Sequence, residues 1–187
     1  AVITFFVGLV IIGGIKRIGA VAERLVPAMI VIYLAAGIIV LIDNVAALPE
    51  TFKLIFQLAF SPAAATGGFV GATVRQAILF GARRGILSNE AGLGSAPIAH
   101  AAAQTPSPLH QGLIGVMEVF IDTIIVCTFT ALINLSSGVW TSGVSGSAMT
   151  VSAFSKTLPH VGGIVVSLCS FLFGYTTIVG WCYYGEQ

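Results

Sequence analysis

ETFKLIFQLAFSPAAATGGFVGATVRQAILFG, residues 50–81, is apolar enough to enter a membrane, yet it is broken in its middle. It opens as a helix should. Pro49 suits a first helical position, where its missing donor is not needed, and the Glu50 carboxylate complements the positive helix end. The apolar pattern continues to Phe60. Ser61 and Pro62 follow, then Ala63, Ala64, Ala65, Thr66, Gly67 and Gly68, with Phe69 and Gly71 beyond. Pro62 removes a backbone donor, and each glycine weakens a helix by about 1 kcal/mol relative to alanine. Loose backbone in hydrocarbon is tolerated only where protein buries it or a cavity runs beside it. An interrupted helix at membrane depth is therefore the best sequence pointer to a transporter's binding site. The same small residues, with Gly67 and Gly71 four apart, serve equally for close contact in a kinked helix. The segment by itself leaves both readings open. It is not a nucleotide loop, because GGFVG lacks the G-x-G-x-x-G spacing and no βαβ pattern surrounds it.

Composition gives the class of protein. Hydrophobic residues make up 57% of the 187 residues and charged ones 8%, and the mean hydropathy is +1.02. Soluble domains carry roughly 25% charged residues, so this chain lacks the charge to cover a soluble globule. An all-α integral membrane protein is expected. No basic patch with interleaved aromatics is present, which excludes nucleic acid as a partner. Cys127, Cys169 and Cys182 sit within apolar runs without metal-ligand spacing, and read as small packing residues. The chain starts inside an apolar run without an initiator Met and is expected to be a piece of a longer protein.

A bilayer-crossing helix needs about 20 mostly apolar residues. Five candidate spans result: 1–14, 25–42, 52–80 broken near 61–68, 113–135 and 161–184. Pro27 falls near the start of the second, where proline is tolerated. If connections alternate sides, Lys16, Arg17, Arg24, Arg75, Arg83 and Arg84 share one face, and Lys53 and Lys156 the other. The positive-inside rule puts the larger group in the cytoplasm. The connection 81–111 is then cytoplasmic. The Ser/Gly-rich 136–160 becomes an external loop with the character of a flexible linker.

Two spans carry polar groups. In GLIGVMEVFIDTIIVCTFTALIN, residues 112–134, Glu118 and Asp122 are four apart and share a helix face. Ionisable residues within a span are costly and point to function. They either pin the helix, pairing with Arg83 or Arg84, or handle cations or protons. The last span ends FLFGYTTIVGWCYYGEQ, residues 171–187. Thr176 and Thr177 offer neutral oxygens of the kind that suit a hard monovalent cation. Alternatively their hydroxyls bond back to carbonyls one turn earlier.

Taken in order, AFSPAAATGGFVGA, RRGILSNEAGLGSAPIAHAAA, FIDTIIVCTFTALI and YTTIVGWCYYGEQ closely resemble the alanine or glycine:cation symporter family, the sodium:alanine symporters. The Ser-Asn-Glu-Ala-Gly-x-Gly-Ser-Ala-Pro run is specific to it. The resemblance implies part of a five-plus-five inverted-repeat core of the amino acid–polyamine–cation type. The spans here would be its fourth to eighth, with the broken one as the sixth. It implies sodium-coupled symport of alanine or glycine by alternating access, with sodium as coupling ion and no other cofactor. It implies a multi-pass protein of the plasma membrane, a bacterial inner membrane. Ala65, Thr66, Gly67, Gly68 and Phe69 would line the substrate site with Trp181. Phe173, Thr176 and Thr177 would hold sodium. The remaining ligands would come from the core's first helix, outside this chain, so the site needs other helices of the same transporter. The alternatives are another cation-coupled small-solute carrier and a channel or structural segment. An enzyme is not expected, because Ser88 or Ser95 with His100 lacks an oxyanion-hole pattern.

On this placement RRGILSNEAGLGSAPIAHAAA, residues 83–103, lies at the inner end of the sixth core helix. It reads as a structured connection that holds or gates the inner side. Arg83, Arg84, Asn89, Glu90, Glu118 and Asp122 form the gating set, with Glu90 pairing to Arg83 or Arg84. Gly92 and Gly94 let the chain turn.

Overall fold

The computed structural model of the chain describes residues 2–60 and 74–186. The described residues are mainly helical, with no strand among them. The elements are α1 (Val2–Ile11), α2 (Gly14–Asp43), α3 (Leu48–Phe60), α4 (Val74–Asn89), α5 (Ala96–Ala101), α6 (Pro108–Val119), α7 (Thr128–Ser136), α8 (Ser147–Thr157) and α9 (Gly162–Glu186). A π-helical stretch, Phe120–Cys127, joins α6 to α7 without a break. Residues 61–68, on which the broken-helix reading rests, lie outside the described residues, as do Ala65, Thr66, Gly67, Gly68 and Phe69 in their role as candidate site residues.

Three helices among the described residues are long and apolar enough to cross a membrane: Arg17–Asp43, Pro108–Ser136 and Gly162–Gly185. They overlap the expected spans 25–42, 113–135 and 161–184, with different ends. Lys16, Arg17 and Arg24 do not form a connection. They occupy the first turns of α2, a 30-residue helix that at 1.5 Å per residue is about 45 Å long, enough to reach through both headgroup layers. Pro27 accordingly lies inside the helix and not in its first turn. The α6 start is earlier than the apolar run because Ser107 caps it. The Ser107 hydroxyl accepts from the His110 N–H at 3.2 Å, and Pro108 takes the first helical position. In α3, Pro49 and Glu50 stand in the first turn, where the helix-start pattern put them.

Two apolar clusters hold the helices together. In the larger, Met29, Tyr33 and Val40 of α2 meet Ile133 of α7, Ala153 and Phe154 of α8, and Val166 and Cys169 of α9. Tyr33 stacks on Phe154 at 5.5 Å between ring centroids and meets Phe129 edge-on at 6.3 Å. Its hydroxyl shares a 2.7 Å hydrogen bond with Thr130. Gly37 admits the Phe129 ring and the Ile133 side chain so closely that a methyl there would overlap both. In the smaller cluster, Val7 and Val10 of α1 pack with Ile18 of α2 and with Tyr175 and Val179 of α9. α9 therefore runs through both clusters, which fixes the turn carrying Thr176 and Thr177.

The region 136–160 is not a flexible linker. It holds a short 3-10 turn, Val139–Ser142, and then α8, whose Ala153 and Phe154 are fully buried. Lys156 Nζ donates to the Ser137 carbonyl at 2.7 Å, and the Thr157 hydroxyl donates to Asp43 at 2.9 Å. Gly162 lets α9 begin directly against the Phe154 carbonyl. Serine and glycine gave this stretch its linker composition. Its few apolar residues, spaced to fall on one helix face, decide its structure.

Candidate functional site

The segment after α4 is built by its backbone. Gly92 and Gly94 take φ of +81° and +83°, and Glu90 takes +55°. The turn at Gly92 and Gly94 is as their composition indicates. The Asn89 side chain carries the chain into it, its Oδ1 accepting the Ala91 N–H at 2.9 Å. Asn89 Nδ2 donates to Thr123 at 2.9 Å, and the neighbouring Ser88 hydroxyl donates to Asp122 at 2.8 Å. Two adjacent polar residues on α4 thus meet two on the π-helical stretch. Wider i→i+5 turns of this kind are frequent at functional sites.

Glu90 is held from two sides. Its carboxylate accepts from the Ser95 hydroxyl at 2.6 Å and from the Trp181 indole N–H at 3.1 Å. The second bond ties the segment to α9 across 91 positions of sequence. Nearby, Gln111 lies 2.7 Å from His100 Nδ1, and His100 Nε2 lies 3.4 Å from a Glu118 oxygen. An amide N–H donated to Nδ1 leaves the ring hydrogen on Nε2, facing Glu118. A cavity of about 160 Å³ lies among Ser88, Asn89, Glu90, His100, Glu118 and Tyr184.

The expected arginine pairs do not form. Among the described residues Lys53 pairs with Glu50, and the Glu118 carboxylate meets His100, not an arginine. Glu90 bonds Ser95 and Trp181 in place of Arg83 or Arg84, and Asp122 bonds Ser88. The reason is axial position. Arg84 stands four residues before Ser88, about 6 Å back along α4, and Ser88 and Asn89 occupy the level of Asp122 and Thr123. Both arginines are exposed. Glu118 and Asp122 serve different elements, one reaching His100 of α5 and the other Ser88 of α4.

On α9, the Thr176 hydroxyl donates to the carbonyls of Leu172 and Phe173, each at 3.0 Å. This is the back-bonding that threonine commonly makes. It brings the Thr176 hydroxyl and the Phe173 carbonyl together. Thr177 is exposed, and no hydrogen bond to its hydroxyl forms among the described residues. Trp181 follows it by one turn and is half-exposed, with Tyr184 6.3 Å away. The structure therefore joins the Thr176–Trp181 stretch to Glu90, a link the sequence does not announce. The partners Ser95, Thr123, His100 and Gln111 were likewise not legible as such. The adjacent polar pairs Ser88-Asn89 and Asp122-Thr123, each beside apolar helix, were the available signal.

The profile of the sodium:alanine symporter family matches residues 1–187. The chain belongs to that family. Relatives agree along its whole length. An "uncharacterized transporter" of Haemophilus influenzae is 45% identical over all of this chain and 41% of its own. The sodium/alanine symporter AgcS of Methanococcus maripaludis is 40% identical over all of this chain and 41% of its own. The probable sodium/glutamine symporter GlnT of Bacillus subtilis is 41% identical over 96% of this chain and 37% of its own. The chain thus spans about two-fifths of the length of these relatives. Sodium:alanine symporters are transporters, not enzymes, and the long apolar helices α2, α6–α7 and α9 make this family member a multi-pass membrane protein.

Proposed function

We propose that the protein carrying this chain couples the entry of a small neutral amino acid, alanine or glycine, to sodium. The family match over residues 1–187 carries this reading. The oxygen-bearing turn of α9 supports it. Sodium is a hard cation that takes carbonyl and hydroxyl oxygens. Thr176, Thr177 and the Phe173 carbonyl supply such oxygens within one turn of an otherwise apolar helix. Sodium is cargo here, and no other cofactor is called for.

The substrate site in this proposal lies against Ala65, Thr66, Gly67, Gly68 and Phe69, with Trp181 on its other wall. Half-helix ends there would present free amides and carbonyls to the charged ends of an amino acid. Small residues leave a small pocket, which excludes longer side chains by overlap. Residues 83–103, with Glu118 and Asp122, hold the inner side during alternating access on a five-plus-five inverted-repeat core. The expected environment is the plasma membrane of a bacterium. Only 6% of the most apolar window of Pro108–Ser136 is buried within the chain, so its surface is available to lipid and to the other helices of the transporter.

One relative favours a second substrate, because GlnT is named a probable glutamine symporter and is as similar here as AgcS. Uptake by the full-length protein in proteoliposomes decides between them. Alanine and glycine should enter under an inward sodium gradient, glutamine should not compete, and replacing sodium by potassium should abolish uptake. Glutamine uptake at the alanine rate would overturn the small-pocket reading, and uptake unaffected by potassium would overturn sodium coupling.

A further inference from the structure

We propose that Glu90 is the positioning residue for Trp181, setting the orientation of the indole that faces the transported amino acid. The proposal rests on the symporter reading above.

Trp181 needs such a partner. Within this chain the residue is 51% exposed, so the packing that the chain itself supplies does not enclose the ring. Tyr184 approaches it at 6.3 Å with the planes tilted by 55° and is its one aromatic neighbour among the described residues. The indole has one polar atom, a donor, and a tryptophan in apolar surroundings usually finds an acceptor for it. Here that acceptor is Glu90 Oε1, at 3.1 Å. One charge-assisted hydrogen bond at the far edge of a large ring fixes the direction of the whole ring plane.

The other end of this bond is rigid. The α4 terminus is fastened to the π-helical stretch through Ser88 with Asp122 and Asn89 with Thr123. The backbone then bends at Glu90, Gly92 and Gly94, all with positive φ. Glycine would take the Glu90 conformation more easily, since a side chain at φ +55° is strained. Such a strained position is informative when its side chain has a specific use. Ser95 donates to the second carboxylate oxygen at 2.6 Å and leaves the first free for α9. Because Trp181 follows Thr177 by one helical turn, the bond also links segment 83–103 to the turn that carries the sodium oxygens. The signature segment thus contributes to the substrate site without touching the substrate.

A double-mutant cycle in the full-length protein tests this, with alanine uptake measured at saturating sodium. Glu90→Ala and Trp181→Phe should each raise KM about tenfold, the scale of one lost charged hydrogen bond, with kcat changed less. Combining them should add no more than about twofold to the effect of Trp181→Phe, because positioning has no target once the indole is gone. Glu90→Gln keeps an acceptor oxygen and should stay within about threefold of the parent KM. Ser95→Ala leaves the Trp181 bond in place and should do the same. If Glu90→Ala and Trp181→Phe multiply to about a hundredfold, the two residues act independently and the proposal fails. It also fails if Ser95→Ala is as damaging as Glu90→Ala, since Glu90 would then only shape the turn. Should Glu90→Ala not reach the membrane, Glu90→Gln and Ser95→Ala carry the test with the same limits. A parent protein without sodium-driven uptake would instead sink the symporter reading, so the two failures are distinguishable.

Discussion

Removal of the Phe154 side chain should be costly. The ring lies in a stretch rich in serine and glycine, yet it has no exposed surface. It stacks on Tyr33 at 5.5 Å, and its backbone carbonyl receives Gly162 at the start of α9. Truncating a fully buried phenylalanine to alanine costs about 3–5 kcal/mol, part transfer and part cavity. The lost aromatic pair accounts for about 0.5–1.5 kcal/mol of that. For a folding unit of this chain's size each kcal/mol lowers Tm by about 2–4 °C, and in a full-length protein of the relatives' size by about half as much. Phe154→Ala in the full-length, detergent-solubilised protein should therefore lower Tm by about 3 °C or more. Phe154→Leu keeps most of the volume and should lose less than half as much. Exposed Ser145→Ala serves as the control, with an effect within about 0.5 kcal/mol. A Phe154→Ala protein that melts within about 1 °C of the parent would show that α8 is not part of the core.

Gly37→Leu should prevent α2 from seating against Phe129 and Ile133; the expected result is loss of monodisperse protein on size exclusion, whereas Gly19→Leu, where nothing lies within 4 Å, should behave as the parent. Tyr33→Phe removes the 2.7 Å bond to Thr130 and should lower stability by about 0.5–1.5 kcal/mol in thermal melts. Thr177→Ala should raise the sodium concentration for half-maximal uptake about tenfold while leaving Tm unchanged, because its hydroxyl makes no hydrogen bond among the described residues. Thr176→Ala should move both, since that hydroxyl also holds two carbonyls of α9. Equal sodium dependence in the Thr177→Ala protein would remove this threonine from the ion site.

The membrane class was legible because hydropathy is a property of the chain itself. Pro49 with Glu50, and Gly92 with Gly94, were legible for the same reason: a helix start and a turn are local. The extent of α2 was not. Charged residues near its beginning look like a connection, although long basic side chains at a helix end lie comfortably at headgroup level. The identity of α8 was hidden by its small polar residues, because burial of Phe154 depends on α2 and α9 arriving beside it. Partner choice in the candidate site was the least legible part. A search by charge pairs Glu90 with arginine, but a positive φ and two glycines redirect its carboxylate toward Ser95 and Trp181. The π-helical stretch, which brings Asp122 and Thr123 to Ser88 and Asn89, leaves no mark in the hydrophobic pattern.

Coupling is reciprocal: an amino acid that moves with sodium must also move sodium. The direct measurement is the entry of radiolabelled sodium into proteoliposomes of the full-length protein, with and without external alanine, at zero membrane potential. Alanine should stimulate sodium entry, glycine should do so too, and Thr177→Ala should abolish the stimulation at low sodium. Sodium entry that is the same with and without alanine would contradict symport and leave a channel or uniporter in its place.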